Sequence, residues 1–179
     1  ITVDHFFINR VDGRRVTGQN GEWVGLTFRD RATNWIDCTG QSSKNAALTT
    51  KNIQHILGEG ISKTAYCYSD GAGEILRTLQ DLRIAHDTSI PGRPRNNSRI
   101  ERSNRHVLEG ARCILSRAGL PLSFCVQAVE YFCLCSNVVP WSNGKTAWEL
   151  RHGEPYNHVQ WPLYPFGAQI LVLPNKLDT

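Results

Sequence analysis

The spacing of apolar residues along the chain changes period several times, and each change marks an element. Residues 1–8, I-T-V-D-H-F-F-I, are β-branched and aromatic and predict a first strand. A stretch rich in Gly, Asn and Arg comes next, with Asp12-Gly13 and Asn20-Gly21 as hairpin turns. Residues 22–30 and 35–39 then predict two more strands of an antiparallel meander. Ser42 or Ser43 is placed to cap a helix whose apolar positions are Ala46, Ala47, Ile53, Ile56 and Leu57, with residues 58–60 as its stop. A fourth strand is expected over 64–68, a short helix over 74–82 and a brief strand over 84–86.

Pro91, Gly92 and Pro94 forbid regular structure, and Asn96, Asn97 and Ser98 are placed to cap a helix directly after them. Ile100, Val107, Leu108, Ala111, Ile114, Leu115 and Ala118 then recur at the spacing of one buried helical face. After a break at Gly119-Leu120-Pro121, residues 122–139 are apolar on nearly every side and predict a buried helix, ended by Pro140. A last short helix is expected over 146–151 and a strand over 166–173.

The 179 residues, 40% of them hydrophobic, suffice for one sizeable domain: 1–152 as the core and 153–179 as an extension. No basic start with an apolar stretch behind it and no run of about 18 apolar residues is present, so a non-membrane, intracellular protein is expected. A chain without Met that begins inside a strand reads as a fragment of a longer polypeptide. The six Cys lie in apolar periodic segments and read as small, reduced core residues. Net charge is only +4, but between residues 93 and 117 seven Arg stand against two Glu. Arg suits phosphate, so this cluster points to a polyanionic substrate.

Three acids give that substrate a chemistry. Asp4 lies inside the first strand, Asp70 ends the fourth, just before Gly71-Ala72-Gly73, and Glu101 falls in the first turn of the long helix. A strand carboxylate among apolar neighbours costs free energy unless it is paired, exposed or metal-bound. Acids converging on one point repel one another and hold hard divalent cations well. The order of elements is α/β and matches the ribonuclease H-like arrangement, a mixed five-stranded sheet flanked by helices. In that arrangement the middle of the first strand, the end of the fourth and a later helix meet.

Several motifs, in order, carry a resemblance over nearly the whole chain. They are Asp70-Gly71-Ala72-Gly73-Glu74-Ile75; Pro91 to Pro94 with Asn97, Glu101 and Arg102; Ala111-Arg112 through Leu115, Ala118, Leu120 and Pro121; and Ala128-Val129. Gly144-Lys145-Thr146-Ala147-Trp148-Glu149 with Gly153, then Phe166-Gly167 and Lys176-Leu177-Asp178, complete the series. Together they resemble the integrase catalytic core of copia-type retrotransposons, within the retroviral integrase superfamily. The resemblance implies metal-dependent polynucleotidyl transfer: processing of DNA 3′ ends, then strand transfer into target DNA.

It further implies Asp4, Asp70 and Glu101 as catalytic metal ligands for two Mg2+ or Mn2+ ions, and double-stranded DNA as the partner of a nuclear homo-oligomer. Arg105 is then the leading phosphate contact, with Arg95, Arg99 and Arg102 beside it. Asp12, Asp30 and Asp37 are rivals for the place of Asp4. His86 reads as a structural histidine, Glu74 as helix-start electrostatics, and Trp141, Trp148 and Trp161 as core or partner contacts. Ser98 stands where the family has Gly, Arg99 replaces a small or apolar residue, and Cys125 replaces a Trp. These departures keep two alternatives open, a catalytically decayed DNA-binding descendant and a ribonuclease H-like nuclease.

Overall fold

A computed structural model describes residues 1–8, 10–11, 14–89, 98–140 and 144–171. The chain forms strands β1 (Thr2–Phe7), β2 (Arg10–Val11), β3 (Arg14–Arg15), β4 (Val24–Arg29) and β5 (Ile36–Gln41), then helix α1 (Ala46–Leu57). Next in order are strand β6 (Cys67–Ser69), helix α2 (Gly73–Asp81), strand β7 (His86–Thr88) and helices α3 (Ser98–Ala118), α4 (Cys125–Val138) and α5 (Ala147–His152). Five strands make one mixed sheet in the order β5-β4-β1-β6-β7. In it β1 is antiparallel to β4 and parallel to β6. Strands β2 and β3 pair apart as a small hairpin, whose expected Asp12-Gly13 turn lies outside the described residues.

The two-residue period of a strand divides β1 between two cores. Val3 joins Leu26, Phe28 and Cys67 of the sheet against Ile53, Ile56 and Leu57 of α1 and Ile75 and Leu79 of α2. Phe6 faces the other way, with Ile36 and Cys38, against Val107, Ala111 and Leu115 of α3 and Val126, Val129 and Cys133 of α4. Both faces of the sheet are thus covered by helices. The helical spacing read from α3 is reproduced, with Ile100, Val107, Ala111 and Leu115 buried. Gly110 lets α4 approach closely, since a Cβ there would lie 2.1 Å from the Phe132 ring.

Where elements differ from the sequence expectation, hydrogen bonding decides. Strand β5 runs on to Gln41, whose carbonyl accepts from Trp23 N at 3.1 Å. The helix therefore starts later and Asn45, not Ser42 or Ser43, caps it by accepting from Leu48 N. Thr64 still belongs to the preceding turn, its amide donating to Ile61 O, so β6 begins only at Cys67. Ile84 N closes onto Leu79 O, and Arg83 has a positive φ of 55°, so β7 starts two residues later than expected. Residues 122–124 form a 3-10 turn ahead of α4. No strand forms over residues 166–171, and 172–173 lie outside the described residues. There Tyr131 of α4 donates its hydroxyl to Tyr164 O at 2.6 Å and packs its ring on Phe166.

The free edge of β5 is closed by side chains. Buried Asn137 of α4 accepts from Ile36 N at 2.9 Å and donates to Ile36 O at 2.8 Å, and Asp37 accepts from Cys38 N at 2.9 Å.

Candidate catalytic carboxylate site

Parallel pairing of β1 and β6 brings Asp4 and Asp70 to the same region of the sheet. Asp4 is buried on the α3 side, 8% exposed, and its Oδ2 accepts from Asn104 Nδ2 at 2.9 Å. Burial and then the Asp70 charge push the Asp4 carboxyl up to about 7, against hydrogen bonds from the His5 backbone and Asn104 and the charge of Lys44. Asp70 is exposed just beyond β6 and accepts from Ala72 N at 3.0 Å. The turn is completed by Gly71 at φ 85°, a left-handed conformation that accounts for glycine there.

Glu101 is exposed in the first turn of α3. Asn104 lies three residues further, on the neighbouring face of the helix, and it is Asn104 that reaches Asp4. Its own Oδ1 is buried with no hydrogen-bond partner among the described residues. Among the described residues, no three or more His, Cys, Asp or Glu side chains gather closely enough to hold a metal ion. The fold therefore unites Asp4 with Asp70 and lays α3 against Asp4, but does not draw Glu101 into a trio. An oxygen-only pair in which one carboxylate disfavours the charge of the other fits a hard divalent cation, whose charge offsets that repulsion.

The rival acids have other partners. Asp30 accepts from Ala32 N at 3.0 Å and Thr33 Oγ1 at 2.6 Å, holding the turn between β4 and β5. Asp37 serves the edge of β5, and Asp12 lies outside the described residues. Of the predicted phosphate contacts, Arg99, Arg102 and Arg105 are exposed on α3, and Arg95 lies outside the described residues. Arg102 Nε donates to Ser98 O at 3.2 Å.

Two further residues were not foreseen. Arg29, at the end of β4, is held below its ordinary pKa by burial and by the nearby Arg99 charge. Asn104 was missed because its partner is 100 residues away; only its place three residues after Glu101 hinted at it. Of the cysteines, Cys38, Cys67, Cys125 and Cys133 are buried as expected, but Cys113 is exposed on the outer face of α3. Trp161 is also exposed, whereas Trp148 packs against the first core; Trp141 lies outside the described residues. His86 bonds locally, its Nδ1 3.2 Å from Ile84 O.

Comparison with solved structures decides the architecture. The chain matches the human T-cell lymphotropic virus 2 integrase catalytic core, solved with magnesium in a trimeric form, at a TM-score of 0.61 and 14% identity over 84% of this chain and 94% of that one. It has the fold of a retroviral integrase catalytic core. This integrase-like core also matches a chain of the simian T-cell lymphotropic virus intasome bound to PP2A regulatory subunit B56 gamma, with a TM-score of 0.65 and 17% identity, over 97% of this chain and 59% of that one. No family model matches the sequence. A 57-residue stretch is 40% identical to the retrovirus-related Pol polyprotein from transposon TNT 1-94 of Nicotiana tabacum, amounting to 32% of the integrase-like core and 4% of the polyprotein. Among the described residues no helix is long and apolar enough to cross a membrane.

Proposed function

We propose that this chain is the catalytic core of a copia-type retrotransposon integrase, which trims the 3′ ends of an element's double-stranded DNA and joins them to target DNA. Residues 1–152 form the catalytic core and 153–179 an extension. The observation that carries the reading is the buried strand carboxylate Asp4, held by Asn104 of α3 and opposed by the charge of Asp70. Support comes from the integrase-core fold and from the 57-residue likeness to a retrotransposon polyprotein.

Asp4, Asp70 and Glu101 would hold Mg2+ or Mn2+, two ions in the full site, which when bound would activate the attacking oxygen and stabilise the leaving one. The chain's own part is positioning. Asn104 fixes the Asp4 carboxylate, Asp70 stands open to solvent beside it, and Arg99, Arg102 and Arg105, with Arg95, receive DNA phosphates. The protein acts in the nucleus as a homo-oligomer that holds element ends and target together. A second reading, a descendant that binds DNA without cutting it, is favoured by the position of Glu101 outside any group of three acids among the described residues.

The test compares wild type with Glu101→Gln on duplex oligonucleotides in Mn2+ and then Mg2+. Wild type is expected to nick or join DNA. The variant should be slower by more than roughly 100-fold, with DNA affinity equal or higher because a carboxylate beside phosphate has gone. Equal rates would remove Glu101 from the site. Binding without cutting by either protein would favour the decayed core, and preference for an RNA–DNA hybrid would favour a ribonuclease H-like nuclease.

A further inference from the structure

Between the end of β4, the start of β5 and helices α3 and α4 lies a cavity of about 550 Å³. Ile36 and Phe132 form its apolar walls, with Val139, 59% exposed, at its edge. Arg29, Asn34 and His106 add polar groups, and among the described residues no acid lines it. The His106 and Phe132 rings stand edge to face, their centroids 5.0 Å apart and their planes at 68°.

Strand pairing fixes the place of this cavity relative to Asp4. Asp4 stands opposite Thr27 and Thr2 opposite Arg29. Arg29, two residues beyond Thr27, therefore lies on the Asp4 face of the sheet. As diagonal cross-strand neighbours the two residues are roughly 7–8 Å apart. On α3, Arg99, Arg102 and His106 follow one another at spacings of three and four and share one exposed stripe. The stripe assigned to DNA phosphates thus leads to the cavity.

Apolar walls, an aromatic ring, a guanidinium and an amide, with no carboxylate, match a flat ligand that has apolar faces, hydrogen-bonding edges and a negative charge attached. A nucleobase on its phosphate has that form. Trimming a DNA 3′ end leaves the facing 5′ nucleotides without partners, and an unpaired base stacks on aromatic side chains and guanidinium planes. We propose that this cavity receives an unpaired 5′ nucleobase of the trimmed DNA end and so holds that end open beside Asp4. The assignment rests on the DNA-processing function proposed above and adds to it base contacts by His106, Phe132 and Arg29.

Two dye-labelled hairpin duplexes serve as probes, one with a blunt end and one with a single unpaired 5′ 2-aminopurine, whose emission falls on stacking. In chelator, so that no strand is cut, wild type is expected to bind the unpaired end about 10-fold more tightly than the blunt one, read by anisotropy, and to quench the 2-aminopurine. His106→Ala and Val139→Glu, both at exposed positions, should reduce that preference to within about twofold and leave blunt-end affinity unchanged, whereas Arg102→Ala should weaken both duplexes alike.

Equal affinity of wild type for the two ends, or a preference that survives in either cavity variant, would overturn the base site while leaving DNA binding in place. Failure of wild type to bind any duplex would overturn the DNA reading, and the base site with it. Survival of the preference in Val139→Glu together with a smaller assembly would give the cavity to a second copy of this chain instead.

Discussion

Asp4 and His5 are adjacent on β1 but face opposite sides of the sheet, and burial acts on them with opposite sign. Asp4 is raised to about 7, so the native state binds the extra proton and stability falls as pH climbs from near 4 through 7. His5 is lowered to about 4, so the unfolded state binds the extra proton and stability rises from near 4 to its ordinary value of about 6.5. Over that shared window the two effects oppose each other in metal-free protein. Asp4→Asn removes one of them while keeping an oxygen that accepts from Asn104. Its stability should exceed that of wild type above pH 7, by at most about 4 kcal/mol, with the advantage vanishing toward pH 4. Urea titrations at four or five pH values in chelator check this. An advantage unchanged with pH would show that ionisation of Asp4 is not its source.

At the scale of elements, the packing of α3 on α4 rests on Gly110. Alanine there gains about 1 kcal/mol of helix propensity but must displace the Phe132 ring, which also packs edge-on against His106 at 5.0 Å. Overpacking costs about 1–3 kcal/mol, so Gly110→Ala should lose roughly 1 kcal/mol net, and Phe132→Leu should recover part of it. A stabilised Gly110→Ala protein in thermal melts would mean that the ring turns aside freely. The same helix shows what the sequence reveals. Its apolar face repeats from Ile100 to Leu115, long enough for period alone to declare it. Strands β6 and β7 are three residues each, too short for alternation, and their limits are set by partners in β1 and by the closing bonds of α2. Asp4 and Asp70 could be picked out as candidates because one lies inside a strand pattern and the other directly before Gly71-Ala72-Gly73. The hold of Asn104 on Asp4 was not legible, since that contact joins segments 100 residues apart.

For the whole molecule, helices cover both faces of the sheet and leave its edges as places where another backbone could add. At β5, Asn137 presents to Ile36 the donor and acceptor that a neighbouring strand would offer, and the next outward amide, that of Cys38, is taken by Asp37. Helix α4 is therefore also a gatekeeper against self-association. Asn137→Ala would strip two backbone groups of their partners, at a cost of about 2–4 kcal/mol, and offer them to a second chain. Light scattering should then reveal concentration-dependent growth, rich in intermolecular β structure, beyond that of wild type. A destabilised variant that stays the same size at all concentrations would show that Asp37 alone guards the edge. A closed border denies neighbouring copies a line along which they could stack without limit.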